Sequence, residues 1–139
     1  MQKAQQVFEK IRVLIVDDNP VDRHILRAQL EELGFLFIQE AQSGSEGIFK
    51  VENGLNMAKP FHLVISDWRM PDKDGMTLLK FLKNSGALKE AWMIMLTGVN
   101  DKESIKQAIL QGVDDFMIKP VDLDLLRTRI LKLTQQKAA

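Results

Sequence analysis

The chain has 139 residues, with 19 basic side chains balanced by 19 acidic ones and no cysteine. That length suits one domain. The charge balance shows no footprint for nucleic acid or an acidic substrate, and the missing cysteines exclude disulfides and thiolate metal sites.

Residues 1–10 are polar, with isolated Val7 and Phe8, and lack the basic-then-apolar pattern of a secretory signal. They are expected to form an extension to a domain spanning 11–134, with a fraying tail at 135–139. No apolar run approaches the roughly 18 residues a membrane span needs. The expectation is a soluble cytoplasmic protein without a membrane or nucleic-acid partner.

Ile11 to Val16 is a β-branched, nearly unbroken apolar run, which predicts a strand buried on both faces. Pro20 opens a helix whose Leu26, Leu30 and Leu33 recur at helical spacing, and Gly34 stops it. Phe35 to Ile38 predicts a second strand. Ser43 and Glu46 form a capping-box pair at the start of a helix that runs to about Val51. Asn53, Gly54, Asn56, Lys59 and Pro60 mark a loop, with Asn56 to Lys59 as a tolerated insertion. Phe61 to Ser66 predicts the third strand.

Pro71 and Gly75 punctuate the next loop, and Met76, Leu78, Leu79 and Leu82 give a helix its apolar face. Ala91 to Leu96 predicts the fourth strand, with Met93 and Met95 as core residues. Asn100 and Glu103 resemble a capping box for a helix with Ile105, Ala108 and Ile109 on one face, ending at Gly112. Asp115 to Ile118 predicts the fifth strand. Leu123, Leu126, Ile130 and Leu133 stripe a last helix capped by Asp122. Strands alternating with helices define an α/β, doubly wound parallel sheet with right-handed crossovers.

Sites in such sheets form beyond the C-terminal strand ends. Asp17 and Asp18 follow strand one, Asp67 follows strand three, Thr97 and Gly98 follow strand four, and Lys119 and Pro120 follow strand five. Each alone is ordinary turn or cap chemistry; their conjunction is not. Three converging carboxylates repel unless a cation intervenes, and Mg²⁺ suits all-oxygen ligands shared with phosphate. Asp18 would bind the metal directly and Asp17 through water. Asp67 is the candidate nucleophile for an acyl phosphate, with Lys119 and Thr97 suited to a phosphoryl group. Trp68, beside the nucleophile, either reports metal binding or packs the loop. His24 and His62 lack ligand spacing, and no dinucleotide or P-loop fingerprint is present.

The segments VLIVDDNP at Val13 to Pro20, VISDWRMPDKDG at Val64 to Gly75, MLTG at Met95 to Gly98 and IKP at Ile118 to Pro120 together resemble the receiver domains of bacterial two-component response regulators. The likeness covers Ile11 to Leu133 and is strongest to single-domain chemotaxis regulators. It implies a flavodoxin-like strand order 2-1-3-4-5. It also implies phosphoryl transfer to Asp67 from a histidine kinase, a phosphotransfer protein or a small phosphodonor. Mg²⁺ would be held by Asp18, Asp67 and the Arg69 backbone carbonyl. The resemblance assigns the switch to Thr97 and Phe116, and tuning of dephosphorylation to Arg69 and Val99. The Lys119–Pro120 bond would be cis.

The implied output surface is the fourth helix, fifth strand and fifth helix, toward an unnamed protein, as a monomer or a phosphorylation-linked dimer. Phe116 departs from the chemotaxis pattern, where Tyr is usual, so no hydroxyl is available there to bond a motor partner. The resemblance implies a switch rather than an enzyme. Two alternatives are a phosphorylation-independent docking module and a Mg²⁺-dependent phosphohydrolase of the haloacid dehalogenase type. The latter expects Asp-x-Asp after strand one, where Asp17 and Asp18 are adjacent.

Overall fold

The computed structural model describes residues 7–87, 91–98 and 101–138. The strands are β1 (Arg12–Val16), β2 (Phe37–Ala41), β3 (Leu63–Asp67), β4 (Trp92–Thr97) and β5 (Asp115–Ile118). Between and after them run α1 (Pro20–Leu33), α2 (Gly44–Asn56), α3 (Gly75–Asn84), α4 (Lys102–Leu110) and α5 (Leu123–Ala138). The strands form one five-stranded sheet in the order β2-β1-β3-β4-β5, every neighbouring pair parallel, as the sequence implied.

The sheet separates two apolar layers. One holds Val13, Ile15, Ile65, Ile94 and Leu96 against Leu26 and Leu30 of α1 and Leu126 and Ile130 of α5. The other holds Leu14, Val64, Met93 and Met95 against Val51 of α2, Leu79 and Leu82 of α3, and Ala108 of α4. Alternate strand residues point to opposite faces, so the apolar runs of β1, β3 and β4 feed both layers at once. Met93 and Met95 are buried, as expected.

Local chemistry sets the helix ends. Asn19 accepts from the N–H groups of Val21 and Asp22, so α1 begins at Pro20. It ends where Gly34 takes the left-handed φ of 109° that a side chain would disfavour. Ser43 accepts from the Glu46 N–H, Asp74 from that of Thr77, and Asp122 from that of Leu125.

Several boundaries differ from the sequence reading. β2 starts at Phe37 rather than Phe35, because Phe35 stacks on Phe8 with ring centroids 4.4 Å apart. Phe8 is fully buried, so part of the expected extension completes the core. α2 continues through Asn53, Gly54 and Asn56, five residues past the expected end at Val51, and only residues 57–60 remain of the expected loop. Ile109 is 56 % exposed and leaves the apolar face proposed for α4. That helix starts after Asp101; Asn100 and Val99 lie outside the described residues. The tail expected to fray is helical through Ala138. Among the described residues, no helix is long and apolar enough to cross a membrane.

Candidate functional site

The parallel register aligns the C-terminal ends of the central strands. Val16 pairs with Ser66, and Asp67 with Leu96, so Asp17, Asp67 and Thr97 emerge together at one edge. One oxygen from each of Asp17, Asp18 and Asp67 can be chosen so that all lie within 4.8 Å of one another. Asp17 is buried, Asp67 half-buried and Asp18 exposed, which leaves the cluster open on one side. Three hard oxygen donors at that separation fit a divalent cation such as Mg²⁺, which keeps waters and phosphate oxygens in its remaining positions.

Lys119 reaches into the cluster from just past the end of β5, and its bond to Pro120 is cis. Its Nζ donates to Asp17 Oδ2 at 2.9 Å and to Asp22 Oδ2 at 3.0 Å, and lies 3.4 Å from Asp67 Oδ2. Burial works against the ammonium. The hydrogen bonds to Asp17 and Asp22 and the charges of Asp67 and Asp17 outweigh it and hold the Lys119 pKa above its ordinary value. Asp67 shifts upward from 3.8: burial is the main cause and Asp17 adds repulsion, opposed by Lys119 and by the Arg69 backbone N–H. Asp17 keeps its place by accepting from the Asn19 N–H at 2.9 Å, while Arg23 holds its backbone carbonyl at 2.8 Å.

The loop after β3 is pinned beside this cluster. Trp68 is buried, its N–H donates to the Leu96 carbonyl and its carbonyl accepts from Gly75. A Cβ on Gly75 would stand 2.6 Å from Trp68 Cε3 and 3.0 Å from the Asp67 carbonyl, so only glycine lets α3 start this close to Asp67. Trp68 therefore packs the loop and also adjoins the site.

Arg69 Nε and Nη2 donate to the Asp101 carboxylate at 2.6 and 2.8 Å, joining the β3–α3 loop to the start of α4. That hydrogen-bonded pairing holds the Asp101 carboxyl well below the usual range. Thr97 is buried at the end of β4, its hydroxyl 3.5 Å from the Gly98 carbonyl. Phe116 is partly buried on β5 and packs against the layer containing Ala108. Neither His24 nor His62 joins a ligand cluster among the described residues; His62 Nδ1 instead accepts from the Arg12 N–H.

Sequence reasoning missed Asp22. It lies in the first turn of α1, just after the Asn19 cap that follows Asp17 and Asp18, and an acidic residue in that first turn was the available signal. The Arg69–Asp101 pair, 32 residues apart, left no signal in the sequence.

The arrangement is an acidic cluster paired with a lysine at the mouth of a doubly wound sheet. The chain matches the family described as the response regulator receiver domain over residues 13–131, and it belongs to that family. It is 34 % identical over 124 residues to the probable chemotaxis protein CheY of Rhizobium etli, covering 89 % of this chain and 92 % of that protein. It is 30 % identical to the chemotaxis protein CheY-3 of Vibrio cholerae, covering 92 % of this chain and 95 % of that one. Among solved structures, a CheX–CheY–BeF₃–Mg²⁺ complex from Borrelia burgdorferi contains a chain 27 % identical, with a TM-score of 0.78 and 89 % of each chain covered. A CheY-like receiver domain from Methanospirillum hungatei is 32 % identical at a TM-score of 0.76, covering 92 % of this chain and 97 % of that one. Receiver domains of this kind are signalling switches of two-component systems.

Proposed function

We propose that Asp67 accepts a phosphoryl group and that the resulting acyl phosphate switches partner binding through the α4–β5–α5 face. The observation that carries this reading is the convergence of Asp17, Asp18 and Asp67 within 4.8 Å, with Lys119 bonded among them.

An Asp67 carboxylate oxygen attacks the phosphorus of the donor, a phosphohistidine of a kinase or phosphotransfer protein or a small acyl phosphate. The new O–P bond forms as the bond to the donor's leaving atom breaks. Asp18, Asp67 and the Arg69 carbonyl would hold Mg²⁺, with Asp17 acting through water; the bound cation neutralises charge on the transferring oxygens. Lys119 supplies a fixed positive charge to the phosphoryl oxygens. The Thr97 hydroxyl gains a better acceptor than the Gly98 carbonyl at 3.5 Å, and its movement releases room into which Phe116 turns. Arg69 and Val99 tune how readily water reaches the phosphoryl group.

The output surface is the α4–β5–α5 face. Its three elements carry exposed apolar side chains at Ile109 and Leu110 of α4, Ile118 of β5 and Leu125 of α5, which suit contact with a protein partner. Phosphorylation shifts the population toward the form that binds there. The setting is cytoplasmic, where such kinases present their phosphohistidines.

Trp68 provides the test. In a Trp92→Phe background, beryllofluoride with Mg²⁺ is expected to change Trp68 emission. The change should require both components and vanish in Asp67→Asn. An unchanged spectrum, or a response that persists in Asp67→Asn, overturns the reading.

A further inference from the structure

The ammonium of Lys119 has three protons and faces three carboxylates. Its distances rank Asp17 at 2.9 Å, Asp22 at 3.0 Å and Asp67 at 3.4 Å, so it sits nearer Asp22 than the candidate phosphoacceptor. Two of the three protons are committed to Asp17 and Asp22, and for the ammonium to move closer to a phosphoryl oxygen on Asp67 it must loosen one of those two hydrogen bonds. Asp17 is the costly one to release: its side chain is 2 % exposed, and an unpaired buried carboxylate is strongly unfavourable. Asp22 is the cheap one. Its side chain is 39 % exposed in the first turn of α1, so water and the helix N-terminus receive the freed carboxylate.

Asp22 also changes the charge of the pocket. Asp17, Asp18 and Asp67 carry three negative charges, which Lys119 and a divalent cation together balance. Asp22 adds a fourth negative charge at the mouth through which a phosphoryl dianion must enter. The extra carboxylate therefore opposes the phosphorylated form twice, by occupying Lys119 and by repelling the anion.

We infer that Asp22 is a positioning residue that parks Lys119 away from the phosphoryl site, raising the threshold for phosphorylation until the incoming group outcompetes it. The inference rests on Asp67 being the phosphoacceptor. Asp22 acts through Lys119 and does not touch the reacting atoms.

The test is the affinity of the full chain for beryllofluoride at fixed Mg²⁺, read by Trp68 emission in the Trp92→Phe background, together with the initial rate of phosphorylation by acetyl phosphate. The parent is compared with Asp22→Asn, which keeps the shape and removes the charge, and with Asp22→Glu, which restores it. Releasing a half-exposed ion pair is expected to tighten beryllofluoride binding and speed phosphorylation about threefold to fivefold in Asp22→Asn. The gain should shrink with added salt, and Asp22→Glu should return to near-parental values. A structural loss from the changed helix start would weaken binding instead, so the direction separates the two causes. If the parent responds but Asp22→Asn binds equally or more weakly, the parking role is overturned and Asp67 stands. If the parent itself shows no response, the reading of Asp67 falls and this inference falls with it.

Discussion

Replacing Asp67 with Asn is expected to stabilise the metal-free fold while abolishing phosphorylation. Asp67 lies within 4.8 Å of oxygens of both Asp17 and Asp18, where each pair repels by about 3.5 kcal/mol at an effective permittivity near 20. The Lys119 ammonium, 3.4 Å away, returns about 5 kcal/mol on the same scale. Because Asp18 is exposed, its share shrinks and the charge contributions nearly cancel, so the net penalty of about 1–2 kcal/mol comes from burying the Asp67 carboxylate. For a chain of this size that corresponds to a rise in Tm of about 3–8 °C. The assay is thermal unfolding in chelator, parent against variant, repeated with Mg²⁺.

In Mg²⁺ the difference should close, since the cation stabilises the parent by mass action and binds the variant more weakly. The pH dependence follows from the upward shift of Asp67. The folded carboxyl keeps its proton to higher pH than the unfolded one at 3.8, so the penalty is full above the folded pKa. It fades as pH falls through that value toward 3.8, and with it the advantage of the variant. A variant less stable than the parent in chelator, or a gain that Mg²⁺ leaves untouched, would refute the reading of Asp67 as a buried, under-compensated carboxylate.

Gly75→Ala is expected to destabilise by about 1–3 kcal/mol, since the new methyl would collide with Trp68 and the Asp67 carbonyl; denaturant unfolding measures it, and Trp68 emission should shift with it. Phe8→Ala should cost about 3–5 kcal/mol in the same assay, because a fully buried ring stacked on Phe35 is lost. An unchanged midpoint would return Phe8 to a dispensable extension. Asp101→Asn breaks the charge pairing with Arg69 between the β3–α3 loop and α4. Because the Asp101 carboxyl is held low, its stabilising contribution is present above pH 3.8 and lost as pH falls through the folded value. The variant should therefore match the parent in acid and fall below it at neutral pH, as measured by unfolding across that range.

The site was legible because its residues sit where strand chemistry places them. Asp17, Asp18, Asp67, Thr97 and Lys119 each follow a short apolar run, and a parallel sheet gathers such positions at one end. Asp22 escaped because it is a helix residue. Strand ends alone do not point to it, although the first turn of α1 sets it beside Lys119 at the same mouth.

The β2 boundary escaped for a different reason. Phe35 has the β propensity of a strand residue, but stacking on Phe8 uses its ring for the core before pairing with β1 begins at Phe37. α2 outran its expected end because Asn53, Gly54 and Asn56 favour turns only weakly against a helix already anchored by Val51. A close backbone approach also settles Gly54 there: a Cβ on it would lie 2.9 Å from the Lys59 carbonyl.

The measurement closest to the central claim is the intact mass of the protein after incubation with acetyl phosphate, with and without Mg²⁺, beside Asp67→Asn. The account predicts one phosphoryl group on the parent in Mg²⁺, none without the metal and none on the variant. An unmodified parent in Mg²⁺, or equal modification of Asp67→Asn, would contradict it.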